Sequence, residues 1–326
     1  MRHPWISVAV KAAITLSLLG WLLDRIELRP LLAHLGSVDP WLAAAATALM
    51  MAQLLVTGWR WSLVQSGIHA PLNGDAVLRL TMIGQFFNQT LPSAIGGDAV
   101  RAWLASREGI PVGKAIAGVL ADRLIALAIL VAIVGVTLPL FHARVPDPAL
   151  RMAAALIVAA TVAGAALFAL LGSRLTMWLG RYRRAQAVAQ LAHDFRGLIA
   201  ASPQTSAIIA ISVVVHLAVI GSVWLLARAL MIDVSAVDCL VIVPPIVLLT
   251  TLPVSIAGWG VRESATVIGF GFLGVAPAEA LALSVAFGLV QIVIGVPGGV
   301  AWLVRRRPAL GRVHAGEAGE PPRVEP

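Results

Sequence analysis

The sequence predicts an all-α integral membrane protein with about six full transmembrane helices and two broken helical hairpins. Of its 326 residues, 59% are hydrophobic and only 12% are charged, and the mean hydropathy is +0.91. This composition leaves too few polar residues to cover a water-soluble protein of that length. Two further observations support the fold class: apolar runs of spanning length recur along the chain, and a Pro/Gly motif occurs twice between them.

The apolar runs come close to the ~20 residues that a spanning helix needs. They are Ile6–Leu23, Trp41–Gly58, Leu124–Phe141, Ala149–Leu171, Thr205–Leu230 and Leu281–Val304. Tryptophans lie at many of their ends, as in the aromatic belts of membrane interfaces. The first run resembles a signal peptide, but no small-x-small cleavage site precedes Asp24, so we expect a retained first helix.

A repeated motif interrupts the apolar pattern. Residues 90–101 (TLPSAIGGDAVR) and 251–262 (TLPVSIAGWGVR) share seven of twelve residues at a constant offset of 161. A Pro-x-x-Ile-x-Gly break between apolar arms is typical of discontinuous membrane helices. The arms within Ala76–Arg107 and Val237–Leu273 are too short to cross a ~30 Å core. Both segments are therefore predicted to be re-entrant hairpins, each followed by a helix that begins near Pro111 or Pro277.

The order of the segments predicts an inverted-topology repeat. Three predicted spans separate the hairpins, and an odd number of crossings places the hairpins on opposite sides of the membrane. We expect repeat 1 at about 74–141 and repeat 2 at about 235–304, within one polytopic membrane domain at 1–304. A basic and then disordered tail is expected at 305–326. In such architectures the broken tips meet near the midplane, where substrate binds.

The charge pattern indicates orientation rather than nucleic-acid binding, despite a net charge of +8 and a pI near 11.2. Arginines concentrate in the segment 172–204 and after Val304, whereas the intervening loops carry seven acidic residues against five arginines. By the positive-inside rule, both termini are predicted to be cytoplasmic, in the cell inner (plasma) membrane. The lone Cys239 excludes disulfides and cysteine-based metal sites. His216, the one histidine inside an apolar run, is expected to bond to a neighbouring helix, and we predict neither a metal nor a cofactor.

Polar and ionised residues cluster around the two breaks, although each ionised group at membrane depth costs ~2.5 kcal/mol or more. The candidate substrate-binding residues are Asn88, Ser93, Gly97, Asp98, Arg101, Asp122 and Arg123 in repeat 1, and Ser255, Gly258, Gly260, Arg262 and Glu263 in repeat 2. We expect Arg101 and Arg262 in the first turn of a new helix, where their charge adds to the positive dipole end and the exposed N–H groups. Such a place binds phosphate. The glycines either let a ligand approach the backbone or permit the turn.

Two alternatives assign these residues to structure. Asp98 could cap a helix that begins at Ala99, and Arg101 and Arg262 could pair with Asp122 and Glu263 to hold the hairpins in place. The repeats also differ, because the counterparts of Asp122 and Arg123 at offset 166 are Gly288 and Leu289.

Together the motifs resemble the lysylphosphatidylglycerol synthase transmembrane-domain family of flippase-like proteins, from about Ala9 to Leu303. The similarity rests on Arg60-Trp61, Asn88, Leu91-Pro92-Ser93, Gly96-Gly97-Asp98, Arg101, Asp122-Arg123 and Gly258-x-Gly260-x-Arg262-Glu263. Leu289 or Gln291 stands near a place where the family often has an arginine. The resemblance implies handling of an anionic or lipid-linked headgroup, such as a phospholipid, a hopanoid-related lipid or a polyprenyl-linked sugar. It does not imply lysyl transfer, which a separate soluble domain performs in the full-length synthases.

Three functions are compatible with these features. The leading hypothesis is a translocase that binds a phosphate-bearing lipid between the hairpins, without ATP, since the sequence has no P-loop. The second is a non-transporting membrane partner of a lipid-modifying or glycosyltransferase system. The third is a membrane-embedded enzyme for lipid-linked substrates, with Asp98 and Asp122 as an acid/base or metal pair.

Overall fold

A computed structural model describes residues 34–91, 96–180, 203–251 and 258–304, with isolated positions at 16, 17, 20 and 197. The regular structure of these residues is helical throughout. The helices are α1 (Pro40–Gly67), α2 (Gly74–Thr90), α3 (Gly96–Arg107), α4 (Val112–Arg144), α5 (Pro148–Gly180), α6 (Pro203–Ala229), α7 (Ala236–Thr250), α8 (Val261–Gly271) and α9 (Pro277–Val304). The predicted all-α fold class is confirmed.

Within the described ranges, five helices are long and apolar enough to cross a membrane: α1, α4, α5, α6 and α9. They correspond to five of the six predicted spans. The sixth, Ile6–Leu23, lies outside the described residues, apart from isolated helical positions, and so does the predicted tail at 305–326. The protein is therefore a multi-pass membrane protein.

The starts of the helices follow from local sequence. Asp39 caps α1, because its Oδ1 accepts hydrogen bonds from the backbone N–H groups of Trp41 (2.8 Å) and Leu42 (3.1 Å). Pro111 directly precedes α4, and Pro277 is the first residue of α9, as expected for a residue that lacks the N–H a helix start leaves unpaired. These two predicted starts are confirmed.

Each of the two motif segments contains two short helices. In the first, α2 ends at Thr90 and α3 is described from Gly96, with residues 92–95 between them outside the described residues. In the second, α7 ends at Thr250 and α8 begins at Val261, which gives a connection of ten residues. Neither α3 nor α8 exceeds 12 residues, or ~18 Å, so neither can cross a ~30 Å core alone.

The order of helices repeats along the chain. A long helix, two short helices and a second long helix make up α1–α4 and again α6–α9, with α5 between the sets. The packing repeats as well, because α2 packs on α9 just as α7 packs on α4, and α1 packs on its own counterpart α6. This correspondence extends each predicted repeat by one preceding long helix.

The two repeats approach closely where α2 crosses α9. A side chain at Gly298 would collide with the backbone carbonyl of Met82, and one at Gly299 would meet the ring of Phe86. Small residues let membrane helices bring their backbones together in this way. Near this crossing, Gln85 Nε2 donates a hydrogen bond to Gln291 Oε1 over 3.0 Å, which joins the first broken hairpin to the last helix.

Candidate functional site

Five charged residues from α1, α3 and α4 form one continuous ion-pair cluster beside the first break. The arginine–aspartate cluster consists of Arg60, Asp98, Arg101, Asp122 and Arg123. Asp122 accepts from Arg60 Nε through Oδ1 (2.9 Å) and from Arg101 Nη2 through Oδ2 (3.0 Å). Asp98 accepts from Arg123 Nε through Oδ2 (2.6 Å), while its Oδ1 lies 3.7 Å from Arg101 Nη2. Cations and anions therefore alternate from Arg60 to Arg123.

The cluster runs from the protein interior to its lateral surface. The side chains of Arg60 and Asp122 are 4% and 2% exposed, whereas that of Arg123 is 50% exposed. Because three guanidiniums face two carboxylates, the ionised cluster carries one excess positive charge. Arg123, the twelfth residue of the spanning helix α4, is where this charge reaches the surface.

Neighbouring polar groups on α1 and α6 support the inner end of the cluster. Arg60 Nη1 donates to Ser212 Oγ over 3.4 Å, and the guanidinium of Arg101 lies 4.6 Å from the centre of the Trp61 ring, a cation–π distance. One turn beyond Ser212, His216 Nε2 bonds to the carbonyl oxygen of Ala126 over 2.9 Å. The expectation that His216 bonds to a neighbouring helix is confirmed.

Some buried polar atoms beside the cluster have no hydrogen-bond partner among the described residues. They are the indole nitrogen of Trp61, both amide atoms of Gln65 and Nε of Arg101. Gln65 packs against Gly118 of α4, where a larger side chain would collide with the amide. The α1–α4 interface therefore contains unused hydrogen-bonding capacity next to the ion pairs.

The interpretation of Asp98 as the N-cap of a helix beginning at Ala99 is wrong. Helix α3 already includes Gly96 and Gly97, so Asp98 is its third residue in the structure. The Asn88 side chain accepts the Gly97 N–H at 3.0 Å, which satisfies one of the free amides at this end of the helix. Gly97 is required because a side chain there would collide with the Gly84 carbonyl and the Asn88 amide.

A smaller ion pair lies beside the second break. Glu263 is completely buried and accepts from Arg262 through Nη2 (2.6 Å) and Nε (3.0 Å). It also accepts from Ser284 Oγ (3.2 Å) and from the Gly260 N–H (2.6 Å), while Arg262 lies 4.6 Å from the Trp259 ring centre. The alternative that Arg101 and Arg262 pair with Asp122 and Glu263 thus describes both observed pairs.

Glycine has a conformational role in this second turn. Gly258 and Gly260 have φ angles of +81° and +84°, values that other residues rarely adopt. Of the two interpretations of these glycines, the backbone therefore supports the one in which glycine permits the turn. The predicted residues Ser93 and Ser255 lie outside the described residues.

The repeated arginines are not equivalent in their helices, although the motif aligns them. Arg262 is the second residue of α8, as expected for the first turn, but Arg101 is the sixth residue of α3, so its expected place in the first turn is wrong. The helix starts differ by 165 residues rather than 161, because the second connection is longer. At this offset it is Asp98 and Glu263 that correspond, each as the third residue of its helix.

In each repeat the acidic third residue of the short helix pairs with an arginine, but the two arginines come from different helices of the repeat. In repeat 1 the arginine comes from α4, as Arg123, and in repeat 2 it comes from α8 itself, as Arg262. The guanidinium of Arg262 lies against Gly288 of α9, the residue that corresponds to Arg123 at offset 165. The same charge pairing is thus built from different positions.

Sequence reasoning gave Arg60 no direct role at the site. The apolar run ended at Gly58, so Arg60 lay beyond the predicted span, whereas α1 continues to Gly67. Helix α1 extends beyond its apolar run because the polar residues near its end are buried against other helices. Within the described ranges, no group of three or more His, Cys, Asp or Glu residues could hold a metal ion.

A family model described as the lysylphosphatidylglycerol synthase TM region matches residues 8–299 of the chain. The chain belongs to this family. The match covers the whole described structure except the last turn of α9, and it includes both broken hairpins and the arginine–aspartate cluster. A comparison with curated proteins found no match. The lysylphosphatidylglycerol synthase TM region family is lipid-related, which places the cluster in a membrane domain of that kind.

Proposed function

We propose that the chain binds the headgroup of an anionic, phosphate-bearing lipid and moves it across the membrane. The observation that carries this proposal is the excess positive charge of the arginine–aspartate cluster, which reaches the surface at the half-exposed Arg123. Ionised residues inside spanning helices are costly and are typical of substrate pathways. The negative charge of a lipid phosphate balances the excess positive charge without exposing the cluster to water.

The chemistry of Arg123 fits a phosphate. Its hydrogen bond to Asp98 is donated by Nε, so, among the described residues, the two terminal nitrogens of the guanidinium are left to a second acceptor. Arginine binds phosphate through paired N–H groups of fixed geometry. The favourable binding place for the phosphate is the surface of α4 beside the first break. From there a headgroup can move toward Arg101.

The second hairpin has a complementary role in this proposal. Arg262 is held by Glu263, Ser284 and the Trp259 ring, so it stabilises the opposing tip and the headgroup passes beside it. The inverted orientation of the two repeats, the midplane position of the site and cytoplasmic termini in the inner membrane belong to the same proposal. A lipid-modifying enzyme is the partner that we propose would supply or consume the lipid.

A liposome assay tests the proposal. Purified protein in phosphatidylcholine liposomes should accelerate the exchange of fluorescent phosphatidylglycerol between leaflets, followed by dithionite quenching and without ATP. A phosphate-free fluorescent glucosylceramide should exchange at the rate of protein-free liposomes. The variant Arg123→Gln should lose most of the acceleration, because the exposed cation is removed.

The matched control is Arg79→Gln, which removes another arginine of an ion pair, at 2.7 Å from Glu108, on the same hairpin but outside the cluster. It should retain wild-type exchange. Equal acceleration of both lipids would indicate nonspecific disturbance of the bilayer and would contradict the proposal. No acceleration of any anionic lipid would favour the non-transporting partner instead.

A further inference from the structure

We infer that Asp98 is a displaceable internal anion, which occupies Arg123 in the empty site and gives it up to the incoming phosphate. This inference rests on the proposed function and deepens it by naming the residue that sets the affinity for the headgroup. A phosphate on the terminal nitrogens of Arg123 and the Asp98 carboxylate on its Nε are two anions beside one guanidinium, and they repel each other. Full binding of the phosphate therefore favours release of Asp98 from Arg123.

The geometry provides a second partner for the displaced carboxylate. The two oxygens of Asp98 face different arginines, with Oδ2 at 2.6 Å from Arg123 Nε and Oδ1 at 3.7 Å from Arg101 Nη2. The distance of 3.7 Å exceeds that of a hydrogen bond, so a small movement of Asp98 toward Arg101 would shorten it into one. Release of Arg123 therefore does not leave a buried carboxylate unpaired.

The second repeat serves as an internal comparison. Glu263 occupies the same third position of its helix, but it is fully buried and receives hydrogen bonds from Arg262, Ser284 and the Gly260 N–H. Asp98 bonds instead to an arginine whose side chain is half exposed. The acid of repeat 2 thus pairs with a buried arginine, and the acid of repeat 1 pairs with an arginine that reaches the surface.

Competition of this kind has a consequence for transport. A site that moves a ligand must bind it well enough to admit it and weakly enough to release it. An internal anion meets both conditions, because it stabilises Arg123 when no lipid is present and displaces the phosphate when the lipid leaves. Removal of the Asp98 charge is therefore expected to tighten binding of an anionic headgroup.

Equilibrium binding of phosphatidylglycerol tests this inference. Native mass spectrometry of the full chain, titrated with phosphatidylglycerol in the presence of phosphatidylcholine, measures the bound fraction. Asp98→Asn should bind phosphatidylglycerol roughly fivefold more tightly than wild type, or more, as expected for the loss of a competing interaction. Asp98→Ser is a second variant with the same expectation, in case the first does not fold. Asp98→Glu keeps the competing charge, so its affinity should lie closer to that of wild type than to that of Asp98→Asn.

The control is Asp238→Asn, which changes the net charge by the same amount at an ion pair with Arg144 outside the cluster. It should leave binding unchanged, and equal tightening by Asp238→Asn would show a general charge effect and overturn the inference. Unchanged or weaker binding by the uncharged Asp98 variants, with a wild type that prefers phosphatidylglycerol, would also overturn it and leave the proposed function standing. A wild type with no preference would reject the proposed function itself.

Discussion

The guanidinium of Arg262 lies in the space that a side chain at Gly288 would fill. A β-carbon on Gly288 would collide with Nη2 of Arg262 and would come within 3.0 Å of the Trp259 ring. Gly288 occupies the place in α9 that Arg123 occupies in α4. In repeat 2, Gly288 leaves room for the guanidinium of Arg262 beside Glu263. In repeat 1, Arg123 itself places a guanidinium beside Asp98.

This relationship predicts a specific effect of Gly288→Ala. The added methyl group should push Arg262 away from Glu263, and we expect a loss of ~1–3 kcal/mol in the free energy of unfolding, the usual cost of overpacking. Unfolding in mixed detergent micelles, followed by circular dichroism, measures it. Gly164→Ala in α5 is the control, because no atom lies within 4 Å of the added methyl group; it should be neutral or slightly stabilising. Equal stability of the two variants would contradict the packing of Arg262 on Gly288.

Asp122 should contribute more to stability than either of the arginines that it pairs with. Asp122→Asn leaves both Arg60 and Arg101 without an ionised partner on that residue, and breaking a buried ion pair in this way typically costs ~3–5 kcal/mol. Arg101→Met should cost clearly less, because Asp122 retains Arg60 Nε at 2.9 Å. The measurement is again the free energy of unfolding. A cost of Arg101→Met equal to that of Asp122→Asn would show that Arg60 does not compensate.

Much of the fold could be predicted from the sequence, because the relevant signals are local. Apolar length gave the spanning helices, and Pro/Gly content gave the breaks. The C-terminal end of α1 could not be obtained in this way, since it contains polar residues, Arg60 and Gln65, that are buried only by packing against other helices. A hydropathy pattern has no information about such contacts.

The sequence indicated charged residues near the break, but it predicted their pairing only in part. Asp98, Arg101, Asp122 and Arg123 were selected as charges near a break, and the structure joins all four. The motif alignment made Arg101 and Arg262 equivalent, whereas the unequal connections shift the helices by four residues. That shift depends on how each turn closes, through Asn88 in one repeat and positive-φ glycines in the other.

The ion pair between Arg144 and Asp238 should make stability depend on pH. Burial raises the pKa of Asp238, but hydrogen bonds from Ser235 and Arg144 outweigh burial and hold the pKa below its usual value. A lowered pKa in the folded state means that the carboxylate stabilises the protein above its unfolded pKa, ~3.9. This stabilisation is lost as the pH falls through the folded value.

We therefore expect wild type to exceed Asp238→Asn in the free energy of unfolding at pH 6, by ~0.2–1 kcal/mol for a partly exposed pair. The difference should shrink below pH ~4, as the carboxylate becomes protonated. Unfolding midpoints of the two proteins at pH 3 to 7 provide the measurement. A difference that stays constant across this range would show that Asp238 does not titrate as described.

The predicted inversion of the repeats can be tested at the ends of the two hairpins. Asn73 precedes α2 and Val112 follows α3, while Asp233 precedes α7 and Ala276 follows α8, and all four are exposed. Single cysteines at these positions, in a Cys239→Ser background, are labelled with an impermeant maleimide in intact and in permeabilised cells. The charge bias predicts that the first two are cytoplasmic and the last two external. Labelling of all four from one side would rule out the inversion. Two ends of one hairpin on opposite sides would show that its two helices together cross the membrane once instead of re-entering.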